Sequence, residues 1–325
     1  MTDTRFDVTC IGNAIVDVIA SADDSFLADN EIIKGAMNLV DENRSNALYE
    51  RMPAGVEQSG GSAGNTAAGI ASLGGKAAYI GKVRDDQLGG IFAHDLRATG
   101  VHFGTPMATT GPSTARCLII VTEDAQRSMN TYLGACVELS PEDIDPEIIA
   151  ASQVTYMEGY LFDPPKANEA FRRASEIAHA AGRKVSMTLS DSFCVDRYRD
   201  EFRDFITSHV DILFGNEDEI KSLYQVENFD DAFQHLRGAC ETVALTRSEK
   251  GAVIVAGDEI HVLDAAPVEK VIDTTGAGDL YAAGFLFGYT NGRSLSEAHH
   301  IGAKAAAEII SHYGARPSRA LKTLI

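Results

Sequence analysis

Short apolar runs alternate with longer stretches of helical periodicity along most of the chain. The apolar runs predict buried strands, and the stretches between them predict helices. Strands are expected at residues 6–12, 77–83, 154–160, 185–189, 210–214 and 243–246, a hairpin-like pair at 252–256 and 259–263, and helices at 87–99, 165–181, 196–208 and 295–313. Alternation of this kind predicts an α/β fold with a mostly parallel central sheet and helices on both faces.

Two segments depart from this alternation and predict a second, smaller unit. The first contains short strand-like runs at 15–21 and 36–41, separated by polar turns and one short helix, and the second contains runs at 114–122 and 128–133 around the tight turn Glu123–Gln126. Four short strands from separated segments indicate a small β-sheet, which we interpret as a lid. The predicted organisation is a large domain of residues 1–14, 58–110 and 139–325, and a lid of residues 15–57 and 111–138.

The composition narrows the class of partner. The chain has 325 residues and a net charge of -19, which argues against nucleic acid or an anionic membrane as its main partner. The five cysteines are odd in number, widely spaced and form no CxxC pair, which indicates reduced thiols. The N-terminus has no apolar signal core and no stretch is long and apolar enough to span a membrane, so we expect a cytoplasmic protein. The oligomeric state is not predicted.

A glycine-rich string, Asp273–Asp279, precedes an apolar helix of small residues. A helix that begins at Gly276 or Ala277 directs its free backbone N–H groups at the space before it, and the glycines let a phosphate approach them closely. Asp279 then lies in the first turn, where it could accept a proton from a hydroxyl that attacks phosphorus. The alternative is a carboxylate that stabilises a helix N-terminus; the whole string favours a catalytic function.

A second glycine cluster, Gly60–Gly69, opens another small-residue helix. It lacks the Gly-Lys-Ser/Thr of a P-loop, so either it is a tight turn before a closely packed helix, or its backbone approaches a polyhydroxyl ligand with Asn65 hydrogen-bonding that ligand. Asn13 and Asp17 follow the first strand, at the edge where open α/β sheets bind ligands. The glycine beside Asn13 does not belong to a dinucleotide-binding GxGxxG motif.

In their order along the chain, the two glycine strings resemble the signatures of the PfkB/ribokinase family of small-molecule kinases. The resemblance covers nearly the whole chain and implies a ribokinase-like three-layer fold with a small β-sheet lid. It also implies ATP as phosphoryl donor and Asp279 as the base. The site residues that it implies are Gly276, Ala277 and Gly278 around the transferred phosphoryl group, and Asn13, Asp17, Gly61, Ser62 and Asn65 around the substrate.

Other segments resemble the family's nucleotide and cation sites. Asn216–Glu219 has the acidic first turn of an ordinary helix start, but it also matches an Asn-x-x-Glu motif, in which Asn216 would lie by the phosphates and Glu219 would act on Mg²⁺ through water. Thr246 and Gly251 would border ATP, although an exposed charged loop explains their neighbourhood equally well. Asp273, Thr275, Gly314 and Ser318 resemble positions around a monovalent cation, such as K⁺.

Details of the substrate region resemble the adenosine kinases of this family. Arg127 stands where they carry an arginine near the transferred phosphate, and Leu39, Met129 and Phe193 would present apolar and aromatic walls to a purine. Glu158 instead resembles the sugar-contacting glutamate of ribokinase and fructokinase relatives. We therefore expect an ATP- and Mg²⁺-dependent kinase that phosphorylates the 5′-OH of adenosine. The alternatives are a sugar kinase of ribokinase or fructokinase type and, less favoured because Asp279 is intact, a non-catalytic ligand-binding relative.

Overall fold

A computed structural model describes residues 4–124, 126–162 and 164–325 of the chain. The strands are β1 Phe6–Ile11, β2 Ile15–Ser21, β3 Met37–Leu39, β4 Val56–Ser59, β5 Ala77–Ile80, β6 His102–Phe103, β7 Ala115–Val121, β8 Arg127–Tyr132, β9 Ser152–Glu158, β10 Lys184–Thr188, β11 Ile212–Asn216, β12 Thr242–Thr246, β13 Ala252–Ala256 and β14 Glu259–Leu263. The helices are α1 Asp24–Asp29, α2 Glu42–Arg51, α3 Ser62–Ser72, α4 Gln87–Ala98, α5 Pro146–Ala150, α6 Pro165–Ala180, α7 Ser192–Arg197, α8 Arg199–His209, α9 Glu217–Tyr224, α10 Phe229–Leu236, α11 Ala277–Thr290 and α12 Leu295–Ile309. The predicted turn Glu123–Gln126 includes Ala125, which lies outside the described residues.

In the described part of the chain, the large sheet has nine strands in the order β14-β13-β12-β11-β10-β9-β1-β5-β6. Its strands from β12 to β6 pair in parallel, and β13 and β14 are antiparallel additions at one edge. The prediction of a mostly parallel sheet is therefore confirmed. Parallel strands end at the same edge of a sheet, so the loops after β1, β9, β10, β11 and β12 gather on one side of the molecule.

Helices cover both faces of this sheet and divide the core in two. Val8 and Cys10 of β1 belong to a buried cluster with Leu280 of α11, whereas Ile11 belongs to a second cluster with Phe171 of α6. Successive strand residues point to opposite faces, so one strand feeds both clusters. The result is the three-layer arrangement of helix, sheet and helix that the alternating sequence predicts.

The small sheet, as far as the structure describes it, has five strands in the order β3-β8-β7-β2-β4. Four of them match predicted strands, but β4 is an addition, because the polar sequence of Val56–Ser59 gives no clear strand pattern. Strand β4 also crosses the predicted domain boundary between residues 57 and 58. The division into a large domain and a lid stays a prediction. The strand register places Asp17, Cys117 and Thr131 in one row across the sheet. Arg127 and Met129 share that face because they alternate with Thr131 along β8.

Helix boundaries differ from the prediction in two informative places. The predicted helix 196–208 is two helices, because Tyr198 between α7 and α8 leaves helical geometry at φ -125 and ψ 31. Helix α12 ends at Ile309 and not at residue 313, and the chain beyond it turns back so that the buried Gly314 donates its N–H to Asp273. Within the described ranges, no helix is both long enough and apolar enough to cross a membrane.

Candidate active site

Asp279 lies at the meeting point of the two glycine motifs. It is the third residue of α11, whose N-cap Gly276 has φ 78, a left-handed conformation that favours glycine. Its Oδ1 accepts a hydrogen bond from Ser62 Oγ at 2.6 Å, and its Oδ2 accepts one from Asn65 Nδ2 at 2.9 Å. Burial raises the pKa of Asp279 above its ordinary value, against the opposing effects of these hydrogen bonds and of the Arg316 charge. The carboxylate is therefore both oriented and more basic than an exposed one.

The first glycine motif supplies these two donors from the first turns of α3. Its N-cap Gly61 has φ 80, and a Cβ there would lie 2.2 Å from the Asn13 carbonyl oxygen, so the close approach requires glycine. Asn65 Oδ1 is buried and has no hydrogen-bond partner in the described chain. Since buried polar atoms are usually paired, this oxygen is available to a donor on a ligand.

The two carboxylate oxygens of Glu158 are hydrogen-bonded to the protein backbone. It is fully buried at the end of β9, where Oε1 accepts from the Asn13 N–H and Oε2 from the Ala63 N–H, both at 2.7 Å. Burial raises its pKa to about 7, although these two hydrogen bonds lower it. Glu158 thus fastens the end of β1 to the start of α3, and a contact with substrate stays a prediction.

Asp17 brings a second carboxylate from the small sheet to the same region. Burial raises its pKa to about 6, opposed by the charges of Arg316 and Arg127. Asp279 acts in the same direction as burial, which indicates that the two carboxylates share one electrostatic environment. Asn13, two residues after β1, is also buried and donates its N–H to Glu158. The structure therefore brings predicted acceptor-binding residues of β2 and α3 to Asp279, with Asn13 next to the start of α3.

A cavity of about 1110 Å³ opens at the N-terminus of α11. Four residues that the sequence assigned to the nucleotide line it together, namely Asn216, Thr246, Gly251 and Gly278. The sequence did not single out its apolar wall, which includes Val268, Val271, Ala303, Ala306, Ala307 and Ile310. A large cavity with apolar walls and convergent polar groups is the usual form of a site for a cofactor-sized ligand.

His299 and Tyr281 also line this cavity, and neither was predicted. His299 Nε2 lies 3.0 Å from the Asp264 carbonyl oxygen, which can only accept, so Nε2 carries the proton. Nδ1 is then the acceptor for the Tyr281 hydroxyl at 3.1 Å. Burial lowers the pKa of His299, which favours this neutral form. A single histidine on a helix carries no sequence signal that distinguishes such a site from an ordinary core position.

Asn216 and Glu219 form a capping box at the start of α9. Asn216 Oδ1 accepts from the Glu219 N–H at 2.9 Å, while Glu219 Oε2 accepts from the Asn216 N–H at 2.9 Å and Oε1 accepts from Asn216 Nδ2 at 2.6 Å. The helix-start interpretation of this motif is thus realised in the structure. Burial raises the pKa of Glu219 to about 7. Its action on Mg²⁺ stays a prediction.

Arg127 reaches out of the small sheet and forms an ion pair with Asp273. The two side chains are only 9% and 8% exposed. Asp273 Oδ1 also accepts from the N–H and hydroxyl of Thr275, and Oδ2 accepts from the Gly314 N–H at 3.0 Å. The Ser318 hydroxyl donates to Glu308 instead, at 2.7 Å. Among the described residues, donors thus occupy both carboxylate oxygens of Asp273. K⁺ at this site stays a prediction.

The three predicted wall residues lie on separate elements. Leu39 on β3 is 51% exposed, Phe193 on α7 is 79% exposed, and Met129 on β8 is partly buried. Leu39 pairs with Thr131, and Met129 is two residues before it on the same strand, so both belong to the sheet face that carries Asp17 and Arg127. The structure therefore brings two of the three residues onto the face near the carboxylates.

Comparisons with known proteins identify the family of this chain. Residues 6–322 match the pfkB family of carbohydrate kinases. The crystal structure of adenosine kinase from Sinorhizobium meliloti is 59% identical with a TM-score of 0.91, and covers 99% of this chain and 98% of its own. That of a probable sugar kinase from Rhizobium etli CFN 42 is 56% identical with the same TM-score and coverage. Fructokinase-1 of Oryza sativa subsp. japonica is 29% identical over 72% of this chain and 74% of its own length.

The chain belongs to the pfkB family of carbohydrate kinases. Its nine-stranded sheet with helices on both faces and its small second sheet form the ribokinase-like fold of this family. The family and the neighbouring structures make it an ATP-dependent carbohydrate or nucleoside kinase.

Proposed function

We propose that this kinase transfers the γ-phosphoryl group of ATP to the 5′-OH of adenosine. One observation carries the proposal: the Asp279 carboxylate is held by Ser62 and Asn65 of the first glycine motif, and it lies one residue after Gly278, which lines the large cavity. A hydroxyl bound beside the first motif and a phosphate bound at the start of α11 would therefore meet at this carboxylate. That is the arrangement that phosphoryl transfer requires.

In the proposed reaction, Asp279 accepts the proton of the acceptor hydroxyl. The hydroxyl oxygen forms a bond to the γ-phosphorus, and the bond from that phosphorus to the bridging oxygen of ADP breaks. The backbone N–H groups of Gly276, Ala277 and Gly278 stabilise the charge on the transferring group, as amides at a helix N-terminus do. Arg127 adds a positive charge from the lid. The raised pKa of Asp279 suits a general base, because proton transfer is most efficient when the base titrates near the working pH.

The acceptor is bound, in this proposal, by the groups gathered around Asp279. Asp17, Asn13 and Asn65 would hold the ribose hydroxyls, together with the backbone at Gly61. Asn65 Oδ1 supports this assignment, because it is a buried acceptor without a partner among the described residues. Closure of the small sheet over the site would exclude water and limit hydrolysis of ATP.

The choice of adenosine depends on the apolar surfaces near the acceptor. A purine presents a flat, largely apolar face. Leu39 and Met129 lie on the sheet face of Asp17 and would cover it, and Phe193, which is exposed on α7, is proposed as the third side chain against the base. The 59% identity to the Sinorhizobium meliloti adenosine kinase supports the same acceptor. A sugar kinase is the second candidate, because the Rhizobium etli protein is a probable sugar kinase and is 56% identical.

Replacing Phe193 by alanine is expected to weaken the use of adenosine more than that of any free sugar. If the ring stacks on the base, its loss should cost about 1–3 kcal/mol in kcat/KM for adenosine. The measurement is kcat/KM for adenosine, ribose and fructose on the wild type and the variant. Val262→Ala is the control, since Val262 is 73% exposed on β14 at the far edge of the large sheet. If the enzyme phosphorylates ribose or fructose efficiently and does not use adenosine, the proposal of a nucleoside acceptor is wrong and the kinase assignment is unaffected.

Mg²⁺ is the metal proposed for this site, bound with ATP and contacted by Glu219 through water. Glu219 fits this function because it is a buried carboxyl whose pKa is raised to about 7, and a nearby divalent cation would favour its ionised form. Asn216, the N-cap of α9, and Asp218, the residue before Glu219, line the cavity. K⁺ at Asp273, Thr275, Gly314 and Ser318 rests on the family resemblance alone, and the ion pair with Arg127 opposes it because it already occupies the Asp273 carboxylate.

Glu219→Gln is expected to raise the Mg²⁺ concentration needed for half-maximal rate and to leave acceptor affinity almost unchanged. Glutamine can still accept from the Asn216 N–H through its one oxygen, which closes the capping box, and it loses only the hydrogen bond from Asn216 Nδ2. The substitution therefore removes the charge and keeps the helix start. The measurement is initial rate against free Mg²⁺ at fixed ATP. An unchanged Mg²⁺ dependence would leave this motif with its capping function only.

A further inference from the structure

One guanidinium group connects the C-terminal segment to the first glycine motif. Arg316 donates through Nε and Nη2 to the Ser59 carbonyl oxygen, at 3.0 and 2.8 Å, and Nη2 also donates to Ser59 Oγ at 2.9 Å. Its Nη1 donates to the Gly64 carbonyl oxygen at 2.7 Å. Ser59 is the last residue of β4 and Gly64 lies in the first turn of α3. Arg316 therefore spans the turn that carries Gly61 and Ser62.

Ser59 is in turn held in place by Asp95 of α4. Asp95 Oδ2 accepts from the Ser59 N–H at 2.8 Å and from the Ser59 hydroxyl at 2.5 Å. Since the hydroxyl proton goes to Asp95, the Ser59 Oγ lone pairs remain free to accept from Arg316. The chain Asp95–Ser59–Arg316 thus has a consistent donor and acceptor at each step, which defines the position of the guanidinium.

The same C-terminal segment contacts the second glycine motif. The Gly314 N–H donates to Asp273 Oδ2 at 3.0 Å, and a Cβ at Gly276 would lie 3.0 Å from the Cβ of Ala315. Residues 314–316 therefore lie between the turn at 273–276, before α11, and the turn at 59–64, before and at the start of α3. A change in Arg316 would act on the geometry between Asp279 and its two hydrogen-bond donors on α3.

Arg316 also lies among acidic and neutral side chains around Asp279. The titratable groups that interact with Asp279 are Cys10, Asp17, Tyr156, Glu158, Tyr160 and Arg316, and Arg127 acts in addition on Asp17. The Arg316 charge lowers the pKa of both Asp279 and Asp17, against burial. Without it, both carboxyls would hold their protons to higher pH.

We propose, on the basis of the phosphoryl transfer proposed above, that Arg316 is a positioning residue for the reaction. It fixes the turn that carries Ser62 and Asn65, the two donors to Asp279, and it supplies a positive charge that acts on the carboxylates of both Asp17 and Asp279. Arg316 does not contact the reacting atoms. It acts through the Ser59 and Gly64 carbonyls and through the electrostatic field at the base.

Two variants separate the geometric effect from the charge effect. Arg316→Lys keeps the charge but cannot donate through two nitrogens in a fixed plane, whereas Arg316→Gln keeps one donor and loses the charge. Both should lower kcat by about 10-fold or more, because a small misplacement at the reacting groups is costly, with little change in KM for ATP. Only Arg316→Gln should move the acid limb of the kcat/KM profile to higher pH, since the base then ionises later. A residue that merely supports the fold would not separate the two variants in this way.

The matched control is Arg97→Gln. Arg97 on α4 also binds one backbone carbonyl through Nε and Nη2, that of Phe103, at 3.0 and 2.8 Å. It should change thermal stability without moving kcat or the pH profile. Thermal unfolding of every variant shows whether the fold is kept. If Arg316→Gln does not fold, the loss of kcat in folded Arg316→Lys is the test.

A titration of the Asp279 carboxyl carbon by ¹³C NMR, assigned with Asp279→Asn, makes the inference independent of the acceptor. The Asp279 titration should move to higher pH in Arg316→Gln and stay near its wild-type position in Arg316→Lys. If the wild type uses a sugar and not adenosine, the acceptor proposal fails, and the same variants are compared on that sugar. A folded Arg316→Gln variant with unchanged kcat and an unchanged Asp279 titration would overturn the inference.

Discussion

Asp279→Asn is expected to lower kcat by about 10²–10⁴-fold, the usual contribution of a general base, while ATP and the acceptor still bind. The asparagine side chain has the same shape, and its oxygen can still accept from Ser62 Oγ. Its amide would face Asn65 Nδ2, but rotation of the Asn65 amide by half a turn would present the unpartnered Oδ1 as an acceptor. The variant can therefore keep both hydrogen bonds to α3 and lose the proton acceptor. After that rotation Asn65 presents N–H groups to the acceptor in place of Oδ1, and a hydroxyl oxygen can accept from them, so the acceptor can still bind. Single-turnover rates and calorimetric binding of ATP and acceptor measure the two properties separately.

Stability provides the control for this substitution. Burial raises the pKa of Asp279 in the folded protein, so its ionised form costs folding free energy at any pH above that pKa. Removing the charge should therefore leave the thermal unfolding temperature at neutral pH unchanged or higher. A folded Asp279→Asn enzyme with near-normal kcat would assign the base to another residue.

The sequence predicted the large sheet because its signals are local. Apolar runs such as that of β1 need only their own residues to indicate a buried strand, and the two glycine motifs mark helix starts by composition alone. The same reasoning explains the failure at β4, where Val56–Ser59 is a strand because β2 pairs with it and not because of its own pattern. Tertiary pairing decides such short polar segments.

Contacts between segments that are distant in the chain could not be predicted from the sequence. Nothing local shows that Arg127 pairs with Asp273, that Arg316 crosses to Ser59, or that both Glu158 oxygens accept from backbone N–H groups. Family resemblance located Asp279 and Glu158, but it did not say whether each carboxylate faces a ligand or the protein. That distinction depends on which donors the fold brings to each oxygen.

Removing Arg127 from its ion pair with Asp273 is expected to have a large effect on both the reaction rate and the stability of the fold. Arg127→Ala should lower kcat/KM by about 10²–10³-fold, the loss typical of one charge-stabilising donor. It should also destabilise the fold, by up to about 3–5 kcal/mol, because it leaves the carboxylate of Asp273 nearly buried without its cationic partner. Burial by itself would raise the pKa of Asp273, but hydrogen bonds from Thr275 and Gly314 and the Arg127 charge hold it below its ordinary value. This part of the stability is therefore present at neutral pH and is lost as the pH falls through that lowered pKa.

The double variant Arg127→Ala/Asp273→Asn separates the two effects. Removing both charges should recover most of the stability, because no uncompensated carboxylate remains, but it should not recover the rate if the positive charge of Arg127 acts on the phosphoryl group. Recovery of the rate together with the stability would show that Arg127 is only a structural partner of Asp273.

A titration of Arg127→Ala with K⁺ tests whether the Asp273 carboxylate can bind a monovalent cation. In the wild type the guanidinium and three protein donors already occupy the Asp273 oxygens, so K⁺ should have little effect there. Restoration of activity by K⁺ in the single variant would show that Asp273 can hold either a monovalent cation or the arginine of the lid.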